Sequence, residues 1–362
     1  MKRKFLLILS ILTLAITFSA TAFAMEPPEE IPEEILEEIP EPETYDIWVG
    51  GVQVTEENKD NILNAANEAD YVSYDPLTST LTAHTLQIKG ADGYGIKALG
   101  NLTINVPDDY LRVRNTTVTE TGESYGIYCT GSLTLQGNNI IYFVSGEATA
   151  KSIGLYCAGD LTLDTYTYVR GTSGEVNNTD DDAVSAGVWV GGKITATDTN
   201  EVFGVGNKVK NGTSYGIFAG SDLYLNYSNA HGEVNGYDTA YVGTQQTYGI
   251  YVDGNIYAEN GSDISALAGW GSSDNYCVYA KGNIELSGLT KISVTLDGNN
   301  EALTLGGIRS DKNLTVDYSI LEVAADDTTV RKSYGIDVLN LAVRNNSYCS
   351  VVSQPAISDS IA

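Results

Sequence analysis

Six aromatic residues, Tyr128, Tyr156, Trp189, Phe218, Tyr251 and Tyr279, recur at one place in this chain. Each follows by two positions a glycine, or the cysteine that replaces it at Cys277. On a strand, period-two alternation puts the residues one and three after that anchor on one face and the residue between them on the other. The first set reads Ile96, Ile127, Leu155, Val188, Ile217, Ile250, Val278, Ile308 and Ile336. The second reads Ala98, Cys129, Cys157, Val190, Ala219, Val252, Ala280, Ser310 and Val338. Both are apolar or small and belong inside, so the rings between them point out. With adjacent strands about 4.8 Å apart, six rings make a ladder roughly 24 Å long. Exposed rings at that spacing are what a glycan-binding face needs, because the C–H faces of pyranose rings pack on aromatic faces and both shed water. Stacked like side chains also stabilise solenoids without any ligand. Both readings stay open.

Other candidate chemistry is sparser. Asp180, Asp181 and Asp182 form an acidic cluster that could hold calcium, a hard cation that favours oxygen ligands, although their spacing fits no EF-hand pattern. A solvated acidic loop is the commoner outcome for such a run. Cys129 and Cys157 share one inward position in successive coils, about 5 Å apart and within disulfide reach; plain core thiols fit equally well. Cys277 and Cys349 have no evident partner. The two histidines, His84 and His231, suggest neither a triad nor a metal set. Lys193, Lys208 and Lys210 with Asp198 are the nearest approach to a lyase-like cluster and do not complete one. The chain does not read as an enzyme.

The elements that carry these residues repeat. SYGIYCTGSLTL (124–135) recurs as SIGLYCAGDLTL (152–163), SYGIFAGSDLYL (214–225) and TYGIYVDGNIYA (247–258), among more degenerate copies. The anchors Gly95, Gly126, Gly154, Gly187, Gly216, Gly249, Cys277, Gly307 and Gly335 are spaced 28 to 33 residues apart. Each unit holds a GI strand, a corner, an LTL strand and a weaker third strand such as IIYFV (140–144), and none shows a helical period. Three strands per coil predict a parallel β-helix of about nine coils over residues 91–353. The corner column Asn101, Ser132, Asp160, Asp222, Asn255, Asn283 and Asn313 supplies residues that tolerate left-handed bends. Two coils are long. Their extra residues, around 173–184 and 235–246, should bulge side by side next to the aromatic strip.

The ends differ from the repeats. Residues 1–24 read as a secretory signal: Lys2, Arg3 and Lys4, an apolar run, then Ala22-Phe23-Ala24. Residues 25–44 are a Glu/Pro-rich tether, self-repelling and unable to fold alone. Residues 45–90 should cap the first open strand edge, with Thr55 starting a short helix that reaches about Ala69. A polar tail, 354–362, closes the chain. No later apolar run is long enough to span a membrane. The net charge is −27, and −30 once the signal's three cations are removed. A surface this acidic repels nucleic acid, and would meet an acidic polysaccharide only through a divalent cation.

The phrase WVGGVQVT (48–55), the run VSYDPLTSTLT (72–82) and the YGI…GNLTI coils resemble exported clostridial carbohydrate-binding β-helix proteins. The resemblance implies a right-handed, calcium-associated parallel β-helix that binds plant polysaccharides, acidic ones included. The expectation is therefore a secreted or cell-surface, non-catalytic protein that binds polysaccharide along Tyr128 to Tyr279. A structural or adhesive surface protein with a protein partner, or a degenerate lyase, is the alternative.

Overall fold

The computed structural model describes residues 42–353 and 360–361, apart from 65–70, 85, 108–109, 165, 178–181, 236–244, 269–270, 272, 297–303 and 326–332. The expected signal, nearly all of the tether and most of the tail lie outside the described residues.

The chain forms an all-β parallel solenoid. GI strands pair in parallel from coil to coil, so that Ile127, Leu155, Val188, Ile217, Ile250, Val278 and Ile308 lie in one file. All seven are 0 % exposed. LTL strands stack the same way, with Leu133 opposite Leu161 and Leu161 opposite Ile194. These two ladders run together through the long strands Thr304–Asp317 and Ser333–Arg344 into one 21-stranded sheet, while the third strands build a separate ten-stranded sheet. The solenoid has about eight turns rather than the expected nine. Nine anchor positions bound only eight intervals, and counting anchors overstates the turns by one.

The anchor glycines are required by proximity, not by backbone conformation. A Cβ on Gly126 would lie 2.5 Å from the Gly154 carbonyl oxygen and 2.8 Å from the Val144 nitrogen. In the central coils the facing third strand also carries a glycine: Gly171 meets Gly187, Gly204 meets Gly216, and Gly232 meets Gly249, each oxygen 2.1 Å from where the third-strand Cβ would sit. The two sheets are pinched together there, and only paired glycines fit. Cys277 fills the anchor position in a coil whose facing residues leave room; its thiol donates to the Thr295 carbonyl at 3.1 Å.

The corners differ from expectation. Asn101, Ser132, Asp160, Asp222, Asn255, Asn283 and Asn313 are absent from the positive-φ residues. Their side-chain oxygens instead accept backbone N–H groups of the next coil: Ser132 to Asn101 at 2.8 Å, Lys193 to Asp160 at 2.9 Å, Asn283 to Asn255 at 2.9 Å. The corner turns away from the sheet pattern, and these side chains satisfy the donors it would orphan. Left-handed bends fall at the following corner, on Tyr166 (φ 57°), Thr199 (69°), Tyr227 (50°), Leu289 (68°) and Tyr318 (48°). Leu289 is 64 % exposed and packs on little, so its side chain does not compensate the strained backbone. Leu289→Asn is expected to stabilise the protein by about 0.5–1 kcal/mol, because asparagine visits this region at lower cost. The urea midpoint measures it; an unchanged or lower midpoint contradicts the expectation.

The N-terminal segment covers the first coil with strands rather than a helix. Thr44–Val49 and Val52–Thr55 form an antiparallel hairpin, and Thr44–Val49 lies antiparallel on Tyr94–Ala98. Val72–Asp75 pairs antiparallel with Thr80–Ala83, which extends the LTL ladder. No helix occurs among the described residues; residues 56–63 are a run of turns. Asn58 takes the Thr55 N–H on its side-chain oxygen (2.8 Å) and donates to the Gln53 carbonyl (2.9 Å), while Thr55 Oγ1 accepts the Asn58 N–H at 3.3 Å. These local side-chain bonds compete with helical ones. The remainder of the expected helix, residues 65–70, lies outside the described residues.

Candidate functional site: the exterior aromatic strip

Strict alternation would send the residue before each anchor glycine inward, but pairing skips the glycine. Ile153 stands opposite Tyr125, and the next partners are Leu155 and Ile127. The strand therefore puts two residues per coil on the outside: the one before the glycine and the aromatic two after it. Tyr125 and Tyr128 touch edge to face at 4.9 Å, Tyr215 and Phe218 at 5.3 Å, Tyr248 and Tyr251 at 5.0 Å. Tyr125, Ile153 and Ala186 form the buried floor of an apolar cluster separate from the main core, with Tyr94, Tyr128, Tyr156, Trp189 and Tyr215 packed on it. The strip is thus a double file. The expectation covered only its outer file; the recurring Tyr of Tyr-Gly-Ile was the signal for the inner one. The floor is small under Trp189, where Ala186 stands, so the largest ring fills the widest space.

All six expected residues lie in this outer file, half-buried. Their orientation differs from a flat platform. Tyr128 stacks on Tyr156 (4.9 Å between centroids, 8° between planes), Trp189 on Phe218 (4.0 Å, 18°) and Phe218 on Tyr251 (5.4 Å, 9°), whereas Tyr279 meets Tyr251 edge-on (5.1 Å, 87°). Stacking along the solenoid axis turns ring faces toward neighbouring coils and leaves edges and phenol hydroxyls toward solvent. Cations close both ends. Lys97 Nζ sits 4.9 Å from the Trp48 ring and 5.0 Å from Tyr94, and the Arg309 guanidinium lies 4.9 Å from Tyr279 and 5.2 Å from Tyr276. Arg309 also pairs with Asp311 at 3.3 Å, and Tyr279 donates to Asp311 at 2.9 Å. Burial, then the Asp311 bond, pushes the Tyr279 phenol up to about 12; burial does the same for Tyr215. These phenols stay neutral hydrogen-bond donors throughout the physiological range.

The other expected sites fare differently. Asp182 is exposed in a turn, and Asp180 and Asp181 lie outside the described residues. Among the described residues no three His, Cys, Asp or Glu side chains gather to hold a metal ion. Of the two long insertions, Val176 and Ala183 in the first pack with Val209 in a small satellite cluster; much of the second lies outside the described residues. Cys129 and Cys157 stand directly opposite each other as buried, free thiols. Each donates to the carbonyl of a glycine in the preceding coil, Cys129 to Gly100 at 3.1 Å and Cys157 to Gly131 at 3.2 Å. Cys277 is also free and buried, and Cys349 is free and exposed.

One histidine has neighbours that the sequence did not announce. His231, outward on the ten-stranded sheet, shares a 2.5 Å hydrogen bond from Nδ1 with Ser265 and has Glu233 3.9 Å from Nε2. Burial lowers its pKa. The carboxylate is too distant to orient the ring, and the flanking strands pair in parallel on this sheet, which commits their N–H groups to the ladder rather than to an oxyanion. His84 stacks on Tyr71 at 4.4 Å. Compared with protein-family models, curated proteins and solved structures, the chain matches none of them.

Proposed function

We propose that this chain is an exported, non-catalytic solenoid that binds polysaccharide along the aromatic strip from Tyr128 to Tyr279. The supporting observation is the exterior strip: an outer file of rings over six successive coils, set on an inner file that includes Ile153 and Ala186, and left half open instead of being covered by the chain. Contiguous apolar surface of this extent usually serves a partner. Because ring faces are engaged with one another, the contact runs through ring edges and the phenol hydroxyls of Tyr128, Tyr156 and Tyr251, which offer hydrogen-bonding groups to a chain of sugar hydroxyls. We take the winding to be right-handed, the sense that parallel crossovers adopt almost without exception. The likeness of residues 48–55, 72–82 and the YGI coils to exported clostridial carbohydrate-binding β-helices supports the same reading. Calcium enters only as a bridge to an acidic glycan, and no described residue is assigned to it.

The stacked geometry itself favours a second reading, a scaffold in which the rings only stiffen the coils. Tyr128→Phe, Tyr156→Phe and Tyr251→Phe combined separate the two, since stacking survives and the hydroxyls go. With about 0.5–1.5 kcal/mol for each hydrogen bond lost, the triple variant is expected to bind at least about tenfold more weakly in affinity gels containing xyloglucan, a neutral glycan. Its melting temperature should change little. Trp189→Ala with Tyr251→Ala should abolish retardation. Unchanged retardation in both variants, with the alanine pair strongly destabilised, would establish the scaffold. Unsaturated sugar ends released from pectin would overturn the non-catalytic assignment.

A further inference from the structure

The ten-stranded sheet carries an outward file unrelated to the aromatic strip. Register places Gln87, Arg112, Tyr142, Arg170, Phe203 and His231 in consecutive coils. Two positions along the same strands stand Lys89 and Arg114 on one side and Tyr110 and Tyr168 on the other. The chain has seven arginines, one of them at Arg3, and three of the other six fall on this single face within three coils. That is a local excess of positive charge on a protein whose net charge is −27.

Elsewhere the cations are mixed: among the described residues Lys97, Lys193, Lys312 and Arg344 form no ion pair either, but six others do. Lys59, Lys151, Lys208, Lys281, Lys291 and Arg309 each lie 2.6–3.3 Å from a carboxylate. Among the described residues, Lys89, Arg112, Arg114 and Arg170 form no ion pair. In a chain with 47 acidic residues, four neighbouring cations without a carboxylate are a distinct feature of this face. Acidic residues enter the two flanking files beyond it, Glu201 opposite Tyr168 and Glu233 opposite Val205.

The surface here is concave. A groove of about 550 Å³ is lined by Tyr110, Arg112, Tyr142, Val144, Arg170 and Thr172. A neighbouring one of about 300 Å³ takes in Lys89 and Arg114. Arg170 is held in place from behind, its guanidinium 4.3 Å from the Phe203 ring. Tyr142 and Tyr168 meet edge to face at 6.2 Å.

We propose that this groove is a second binding site, one that takes an oxyanion carried on a sugar ring, a uronate or a sulfate ester, directly on Arg112 and Arg170 without a metal ion. A guanidinium presents a planar fork of N–H donors that matches a carboxylate or sulfate in two parallel hydrogen bonds. Arg112 and Arg170 are two strand spacings apart, about 10 Å, with the Tyr142 ring between them to receive the apolar face of the ring that bears the anion. Two anionic groups on one glycan chain can be held at once, which a single surface cation cannot do. A nucleic acid offers the same charge at far higher density, and the acidic remainder of the protein repels it. The site stands independently of the aromatic strip and differs from a calcium bridge in the sign of its metal dependence.

Affinity electrophoresis in EDTA tests it, with polygalacturonate, dextran sulfate, neutral dextran and single-stranded DNA in separate gels. Retardation by polygalacturonate, by dextran sulfate or by both is expected, and which one it is identifies the oxyanion. Neutral dextran should have no effect. Raising NaCl from about 0.05 to 0.3 M should weaken the interaction steeply. Arg112→Gln with Arg170→Gln should bind at least tenfold more weakly while its circular dichroism and melting temperature match the parent; both side chains point outward, so the fold does not depend on them. Trp189→Ala with Tyr251→Ala should keep this binding even if it loses retardation by neutral glycans, so the two sites succeed or fail separately. The proposal is overturned if neither anionic glycan retards the protein in EDTA, if the arginine pair changes nothing, or if DNA competes as well as the glycan.

Discussion

Gly187→Ala is expected to destabilise the solenoid by about 3 kcal/mol or more, the upper end of what overpacking a core costs. The added Cβ would sit 2.1 Å from the Val205 nitrogen and 2.6 and 2.7 Å from the Gly204 carbonyl carbon and Cα. All three are backbone atoms of the facing strand Glu201–Asn207. No rotamer change relieves the clash; the two sheets must separate locally, and the inward files on both sides lose contact. Urea denaturation measures the loss. Cys277→Ala is the control, because that anchor position already accommodates a larger side chain, and it should cost no more than about 1 kcal/mol. Because each coil touches only its neighbours, hydrogen exchange in Gly187→Ala should accelerate first in the coils around residue 187. A midpoint shift no larger than that of the Cys277 control would show that the sheets are not pinched.

Asn200→Ala is expected to cost about 3–5 kcal/mol, because one amide satisfies three buried backbone groups. Asn200 is 1 % exposed. Its oxygen accepts the Thr167 N–H of the preceding coil at 2.6 Å, and its Nδ2 donates to the Thr197 carbonyl at 2.5 Å and the Leu163 carbonyl at 2.9 Å. Alanine leaves all three unpaired in a site closed to water. Serine occupies the same corner position at Ser228 and Ser262, where its hydroxyl accepts one N–H and donates to one carbonyl. Asn200→Ser should therefore recover about two thirds of the loss, since only the Leu163 carbonyl stays unmatched. Equal stability of the alanine and serine variants would mean that the amide fills space and does not hold the corner.

The solenoid was readable because its period is written in the chain itself. Anchors 28 to 33 residues apart, with apolar positions one and three residues later, leave one way to bury both columns. The structure agrees from the coil of Gly95 to that of Gly307; in the last coil Ile336 and Val338 are only half-buried. The turns that replace the start of the expected helix after Thr55 were not readable, because they depend on Asn58 bonding back to Thr55 and Gln53. The corner column was found for the wrong reason: its side chains accept hydrogen bonds along the axis, while left-handed backbone falls on Tyr166, Tyr227, Leu289 and Tyr318 at the next corner. Asp198, Asn260 and Asn345 take it there too, but the tyrosines and Leu289 do not announce it. The inner aromatic file was missed because alternation was carried only forward from the glycine, and the ladder skips that residue.

By itself, then, the order of residues determined how the chain winds, which side chains line its interior, and that six aromatic residues share one outward file. Those follow from local alternation and from a repeat that brings identical positions together. Only the tertiary structure decided which way the rings face, which glycines confront one another across the interior, and that Arg112, Tyr142 and Arg170 line one groove. Each of these depends on residues tens of positions apart, brought within a few ångströms by the closing of a coil, and no pattern within a single repeat encodes that distance.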